Sequence, residues 1–142
     1  NMSKLIVVDT SVLVSALIGK TGASRQVIRE CLQGKYVPLI SNALFNEYED
    51  VISRDNIRRV CPLCDKEIRE IVNAFYSVCN WVSIYYLWRP NLKDEGDNFL
   101  IETAIAGNSN MIVTHNIKDL SGAELQFEHL KILKPEQLIE VE

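Results

Sequence analysis

Lys4-Leu-Ile-Val-Val-Asp9-Thr10-Ser11-Val-Leu-Val-Ser-Ala-Leu17 is the stretch on which the fold turns. Its first half is a short β-branched run without polar alternation, the pattern of a strand buried on both faces of a parallel sheet. Thr10-Ser11 then offers a cap for a helix through Val12, Leu13, Ala16 and Leu17. Moving outward, helices and strands keep alternating. A second helix is predicted over 24–33, ended by Gly34, and Tyr36 to Ile40 is a second strand that Pro38 places near an edge or a bulge. Ser41 or Asn42 caps a third helix, Ala43 to Arg54; 56–63 reads as irregular; Asp65 to Val78 is a fourth helix with Ile68, Ile71, Val72 and Phe75 as its stripe. Trp81 to Tyr86 reads as a strand, Asp94 to Ala106 as a fifth helix ended by Gly107-Asn108, and Met111 to Thr114 as a buried strand like the first. Lys131 to Leu133 is a further strand, and Pro135 starts a last short helix. This alternation predicts an α/β fold around a mostly parallel sheet. With no repeat, linker or low-complexity segment, residues 1–142 are expected to form a single domain.

The chain is 47% hydrophobic and 24% charged, enough to bury a core without disulfides and too apolar for disorder. No run approaches the roughly 18 apolar residues of a membrane helix, and no cationic leader is visible, so a cytoplasmic protein off the membrane is expected. A net charge of −4 excludes a wholesale phosphate binder of the histone type, but a site that gathers carboxylates around divalent cations also lowers the charge. Cys61-Pro-Leu-Cys64 has no second close pair, and His115 and His129 lack zinc-finger spacing; the four cysteines read as free thiols.

In open parallel sheets ligands bind at the carboxyl ends of strands, and two ends here carry polar groups: Asp9-Thr10-Ser11 and Thr114-His115-Asn116. A carboxylate closing a Leu-Ile-Val-Val run is costly to bury unless it is paired, hydrogen-bonded or on a metal, although capping the next helix would also account for Asp9. Asp97 falls on the apolar stripe of its own helix with Leu100, Ile101, Ala104 and Ile105, which turns it inward towards the sheet ends; its plainer role is a first-turn acid behind Asp94. On the third helix, Glu47 and Glu49 each lie roughly 90–110° from the centre of the stripe, on opposite sides, so periodicity cannot choose between them. Acids from separate elements converging on one crevice call for a hard cation, and a carboxylate set without histidine or cysteine points to phosphoryl or phosphodiester chemistry.

These residues resemble those of PIN domains. Val8-Asp9-Thr10-Ser11-Val12-Leu13-Val14-Ser15-Ala16 is similar to that family's opening, Asp-Thr-Asn/Ser-Val-Leu-Val-Ser-Ala, and Leu44-Phe-Asn-Glu47 to its Leu-x-x-Glu. Asp94-Glu-Gly-Asp97-Asn98-Phe-Leu resembles the third motif, and Val113-Thr114-His115-Asn116 the last, Val-Thr-Gly/His-Asp/Asn. The match runs in order over nearly the whole chain, in the manner of VapC-like toxins of bacterial toxin–antitoxin pairs. It implies a three-layer α/β/α fold, a Mg²⁺- or Mn²⁺-dependent ribonuclease, an RNA substrate, a homodimer and an antitoxin partner. Carried over, Asp9, Glu47 and Asp97 are the metal-binding acids, which also resolves Glu47 against Glu49. Thr10, Ser11, Asp94 and Thr114 become groups that support them. Where many members have a fourth acid this chain has Asn116, with Asp119 three residues on as a substitute. Arg54, Arg58 and Arg59 are candidates to follow the RNA backbone, or simply a solvated basic face.

Asn116 also supports a rival reading, a PIN-fold module that holds RNA or protein without cutting. Other phosphate chemistries fit less well. Gly19-Lys20-Thr21 has the ending of a P-loop, but Val14 stands in place of its first glycine; a dehalogenase-like phosphotransferase needs an Asp where Ser11 stands; a receiver domain needs paired acids near the first strand.

Overall fold

Ile6, Val7 and Val8 are all fully buried. Successive strand residues point to opposite faces, so the strand they belong to, β1 (Lys4–Val8), is covered on both sides. The computed structural model describes residues 4–19, 22–84, 98–120 and 129–140. After β1 come α1 (Thr10–Ile18), α2 (Gly22–Leu32), β2 (Tyr36–Ile40), α3 (Asn42–Ile52), α4 (Asp55–Val60) and α5 (Asp65–Val78). They are followed by β3 (Asn80–Trp81), α6 (Asn98–Ala106), β4 (Met111–Val113), α7 (Ile117–Leu120), β5 (Lys131–Leu133) and α8 (Pro135–Glu140). The strands form a five-stranded sheet in the order β3-β2-β1-β4-β5, every pair parallel. The mostly parallel α/β architecture expected from the sequence is therefore the one observed, with helices on both faces in an α/β/α arrangement. On one face α6 packs on β1, β2 and β4, while α2 packs on α1, α5, α8 and β2.

A parallel sheet brings all its carboxyl ends to one rim, and β1 lies at its centre. The register pairs Ile6 with Pro38 and Val8 with Val113. Asp9 is thus the residue at which the central strand reaches the rim, and its N–H still bonds the Val113 carbonyl at 2.9 Å.

Some boundaries differ from expectation, for identifiable reasons. The 56–63 stretch is not irregular throughout: α4 occupies Asp55–Val60, and none of its residues is buried, so it has no apolar stripe for periodicity to detect. The strand expected over 81–86 is observed only as Asn80–Trp81; β2, its partner, ends at Ile40, which pairs with Trp81. Residues 85 and 86 of that expectation lie outside the described residues, as do 94–97 of the expected fifth helix. Pro38 sits in a strand with neighbours on both sides, but β3 pairs only from Leu39 onward, so β1 alone flanks the proline and its missing N–H interrupts no β2–β3 pairing.

The carboxyl end of α6 sits tightly on β2. A Cβ placed on Gly107 would fall inside van der Waals contact of the Leu39 side chain, which is fully buried and has no room to swing away. Gly107→Ala is therefore expected to destabilise the fold by about 1–3 kcal/mol through overpacking, read as a lowered midpoint in denaturant with an unchanged slope.

Candidate functional site

Asp9 does two things at once. It is the N-cap of α1, its Oδ1 accepting from the Thr10 N–H at 2.8 Å, and its Oδ2 accepts from two hydroxyls: Ser11 Oγ at 3.0 Å and Thr114 Oγ1 at 2.6 Å. The capping role and the buried polar role posed as alternatives are both present. Asp9 is 8% exposed, and all of these donors are neutral. A buried carboxylate is usually compensated by a cation, yet no ion pair reaches Asp9 among the described residues. Neutral hydrogen-bond donors and the amino end of α1 are what meet this carboxylate among the described residues.

The second strand end closes over the first. Thr114 is fully buried; its N–H bonds the Leu133 carbonyl at 2.9 Å, and its hydroxyl oxygen accepts from the Asn116 N–H at 2.9 Å while donating to Asp9. His115 donates its N–H to Ser11 Oγ at 3.1 Å, and its Nε2 lies 2.8 Å from Ser24 Oγ on α2. Asp9, Ser11, Thr114, His115 and Asn116 thus form one hydrogen-bonded group, with Asn116 exposed at its mouth. The Ser24 contact spans 91 positions and leaves no periodic trace, so sequence spacing cannot reveal it. Thr10 Oγ1, next in the chain, is buried without a hydrogen-bond partner among the described residues.

Glu47 and Glu49 separate clearly. Glu49 is occupied: Arg69 donates from both terminal nitrogens at 2.9 and 3.0 Å, and the Tyr76 hydroxyl donates at 2.7 Å. These contacts, the Arg69 hydrogen bond first, hold its carboxyl below the usual range against a smaller opposing effect of burial. Glu47 is half-buried and makes no hydrogen bond or ion pair with any described residue. Its neighbour Tyr48 is fully buried and donates its hydroxyl to the Val8 carbonyl, pinning α3 to the end of β1 immediately before Asp9. Burial chiefly, with smaller contributions from Cys79 and Asp9, keeps the Tyr48 phenol far above its ordinary value, so it remains a donor.

The remaining expected site residues are less informative. Asp94 and Asp97 lie outside the described residues, and so does the side chain of Asp119. On α6 burial extends beyond the stripe that singled out Asp97: Leu100, Ile101 and Ala104 are buried, but so are Glu102 and Thr103. Thr103 Oγ1 meets Ser41 Oγ, the cap of α3, at 2.8 Å, which fixes α6 against the same rim. Arg54 pairs with Asp50 at 2.7 Å and Arg58 with Asp65, both exposed; Arg59 has no acidic partner among the described residues. Cys61 donates to the Leu17 carbonyl at 3.3 Å, whereas Cys64 is exposed, so the two thiols serve different surroundings. Among the described residues no three His, Cys, Asp or Glu side chains cluster as a metal site, and no helix is long and apolar enough to cross a membrane.

With this geometry in view, comparison with known proteins is direct. A family model described as PIN domain matches residues 5–118. Comparison with curated protein sequences gives no match. The fold is similar to a chain of the VapBC2 complex from Rickettsia felis, solved bound to a DNA fragment from its promoter: TM-score 0.59 and 15% identity, over 92% of this chain and 98% of that one. At that identity the likeness is one of fold.

The Glu49–Arg69 pair yields a pH prediction. A carboxyl whose folded value is depressed contributes stability that is present above its unfolded value and lost as pH falls through the folded one. Glu49→Gln is expected to reduce the loss of stability below the ordinary carboxylate range, by under about 1 kcal/mol because the pair is partly solvated. Urea unfolding of both forms across the acid range checks this.

Proposed function

This chain belongs to the PIN domain family, and we propose that it is a divalent-metal-dependent ribonuclease, the toxin component of a toxin–antitoxin pair. The observation that carries the reading is Asp9: a carboxylate at the end of the central strand, buried, hydrogen-bonded by neutral donors and without a cationic partner among the described residues. Such a group fits a hard dication. The Thr10 hydroxyl, buried with no hydrogen-bond partner among the described residues, fits it as well, since Mg²⁺ and Mn²⁺ take oxygen ligands. Asp9, Glu47 and Asp97 are the residues that would hold the ion, with Asn116 or Asp119 as further ligands. When bound, such an ion acidifies water and offsets charge on a phosphodiester.

The chain's own groups do the rest. Thr10 N–H, Ser11 and Thr114 fix the orientation of the Asp9 carboxylate, as supporting groups of metal ligands do. Glu47, with no competing partner among the described residues, orients the attacking water, a task the occupied Glu49 is poorly placed to share. The amino end of α1 favours an anionic phosphate beside Asp9. Asp94 would support Asp97 from the preceding turn. With Arg54 and Arg58 paired, Arg59 is the arginine of that cluster best able to meet an RNA backbone. The VapBC2 likeness supports an antitoxin partner. A cleft lined by Ala16, Leu17, Ile28, Leu32, Leu63 and Ile71, with Arg25 and Arg29 alongside, would suit an apolar partner segment carrying acidic residues. We take the protein to be a cytoplasmic homodimer folded as a single PIN-like domain.

Purified protein is expected to cleave single-stranded RNA in Mn²⁺ or Mg²⁺ and to stop in EDTA. Asp9→Asn, Glu47→Gln and Asp97→Asn bring cleavage to background, Glu49→Gln retains it, and Thr114→Val weakens metal affinity or activity about 10–100-fold. Metal at about 100 times its Kd raises stability by about 2.7 kcal/mol in thermal melts. If that shift survives Asp97→Asn, the ligand assignment is wrong. RNA binding without cleavage in every form would identify the binding module that Asn116 favours.

A further inference from the structure

Trp81, the last residue of β3, is 49% exposed. An indole so open is costly, yet this one is braced from behind. Its ring is tilted on Phe45 with centroids 5.5 Å apart, Phe45 meets Tyr76 at 5.0 Å, and Tyr76 is stacked on Tyr48. Tyr48 in turn holds the Val8 carbonyl, so an aromatic row runs from the strand end beneath Asp9 to the half-exposed indole.

The register fixes where that indole lies. Carrying the Ile6–Pro38 pairing two residues forward sets Val8 level with Ile40, which pairs with Trp81. Trp81 therefore stands at the same rim as Asp9, two strand spacings or roughly 10 Å away. Beside it is a cavity of about 320 Å³ lined by Asn42, Ala43, Trp81, Val82, Ser83 and Ile84. Asn42 is exposed. In the first turn of α3, Ser41 Oγ takes the Leu44 N–H and the Ser41 carbonyl takes that of Phe45, so the helix leaves those of Asn42 and Ala43 without an acceptor.

We propose that this cavity seats one nucleobase of a single-stranded RNA, next to the phosphate cleaved at Asp9. The base stacks on Trp81, its edge meets the Asn42 amide, and the adjoining phosphate meets the Asn42 and Ala43 N–H groups. The assignment rests on the ribonuclease reading above. It also suits a chain of net charge −4 in which Arg54 and Arg58 are already paired with acids. Stacking supplies affinity that does not depend on charge and tolerates any base.

Cleavage kinetics on a short oligoribonucleotide in Mn²⁺ test the proposal. Trp81→Ala is expected to raise KM about tenfold with kcat changed less than about twofold, and Trp81→Phe to restore most of the loss. Removing the base on one side of the cleaved bond costs the wild-type protein the same factor and costs Trp81→Ala nothing further. A wild-type KM in Trp81→Ala, or two losses that multiply in full, overturns the site and leaves Trp81 as part of a protein-binding surface. Thermal melts of both variants separate a folding defect from a binding one. Binding is read independently in Asp9→Asn carrying Trp88→Phe, where Trp81 is the remaining one of the two tryptophans. Its fluorescence is quenched by uncleaved oligonucleotide if the base stacks there, and is unchanged if it does not. Quenching without cleavage in the wild type refutes the ribonuclease and keeps the stacking site; cleavage without quenching does the reverse.

Discussion

A carboxylate held out of water at the end of the central strand is the constraint around which the other elements are placed. Asp9 cannot move away from the sheet, because Val8 before it is locked between two strands and α1 begins immediately after it. Among the described residues no basic side chain pairs with it. Instead, one backbone amide and two hydroxyls converge on it, one of them from the far half of the chain. Neutral donors lower the cost of burial while leaving the carboxylate able to bind a cation, whereas a lysine or arginine in the same place would use up that capacity.

Much of this arrangement is legible from residue types. The unalternating Leu5 to Val8 and Met111 to Val113 runs identify strands covered on both faces, and they are the two that flank each other at the centre. The Ser41 cap and the span of α5 follow from capping and periodicity. What escapes is whatever lacks a buried stripe or depends on distant partners. α4 buries nothing and therefore has no period. Glu47 and Glu49 are symmetric about their helix in sequence; only the approach of Arg69 and Tyr76, 20 and 27 positions away, makes them different. Asp9 resists a single label because it caps a helix and accepts from Thr114 with different oxygens of one carboxylate.

Tyr48 shows how the helices inherit order from the sheet. Its hydroxyl reaches under α3 to the last carbonyl of β1, and its ring packs on Phe75 and Tyr76 of α5. One side chain thereby couples the position of Glu47, the tilt of α5 and the rear support of Trp81 to the strand that ends in Asp9. Loosening that contact would shift several groups of the rim together, so effects of substitutions along this row will not be additive.

The hydroxyl that closes onto Asp9 arrives 105 positions later in the chain. During translation the first strand emerges long before β4 exists to lie beside it, and a loop of this size must be gathered before the contact forms. A ribosome that stalls before Thr114 therefore releases a polypeptide whose central acid has neither its companion strand nor its strongest donor. The centre of the rim is therefore completed late in synthesis, by residues from the far half of the chain.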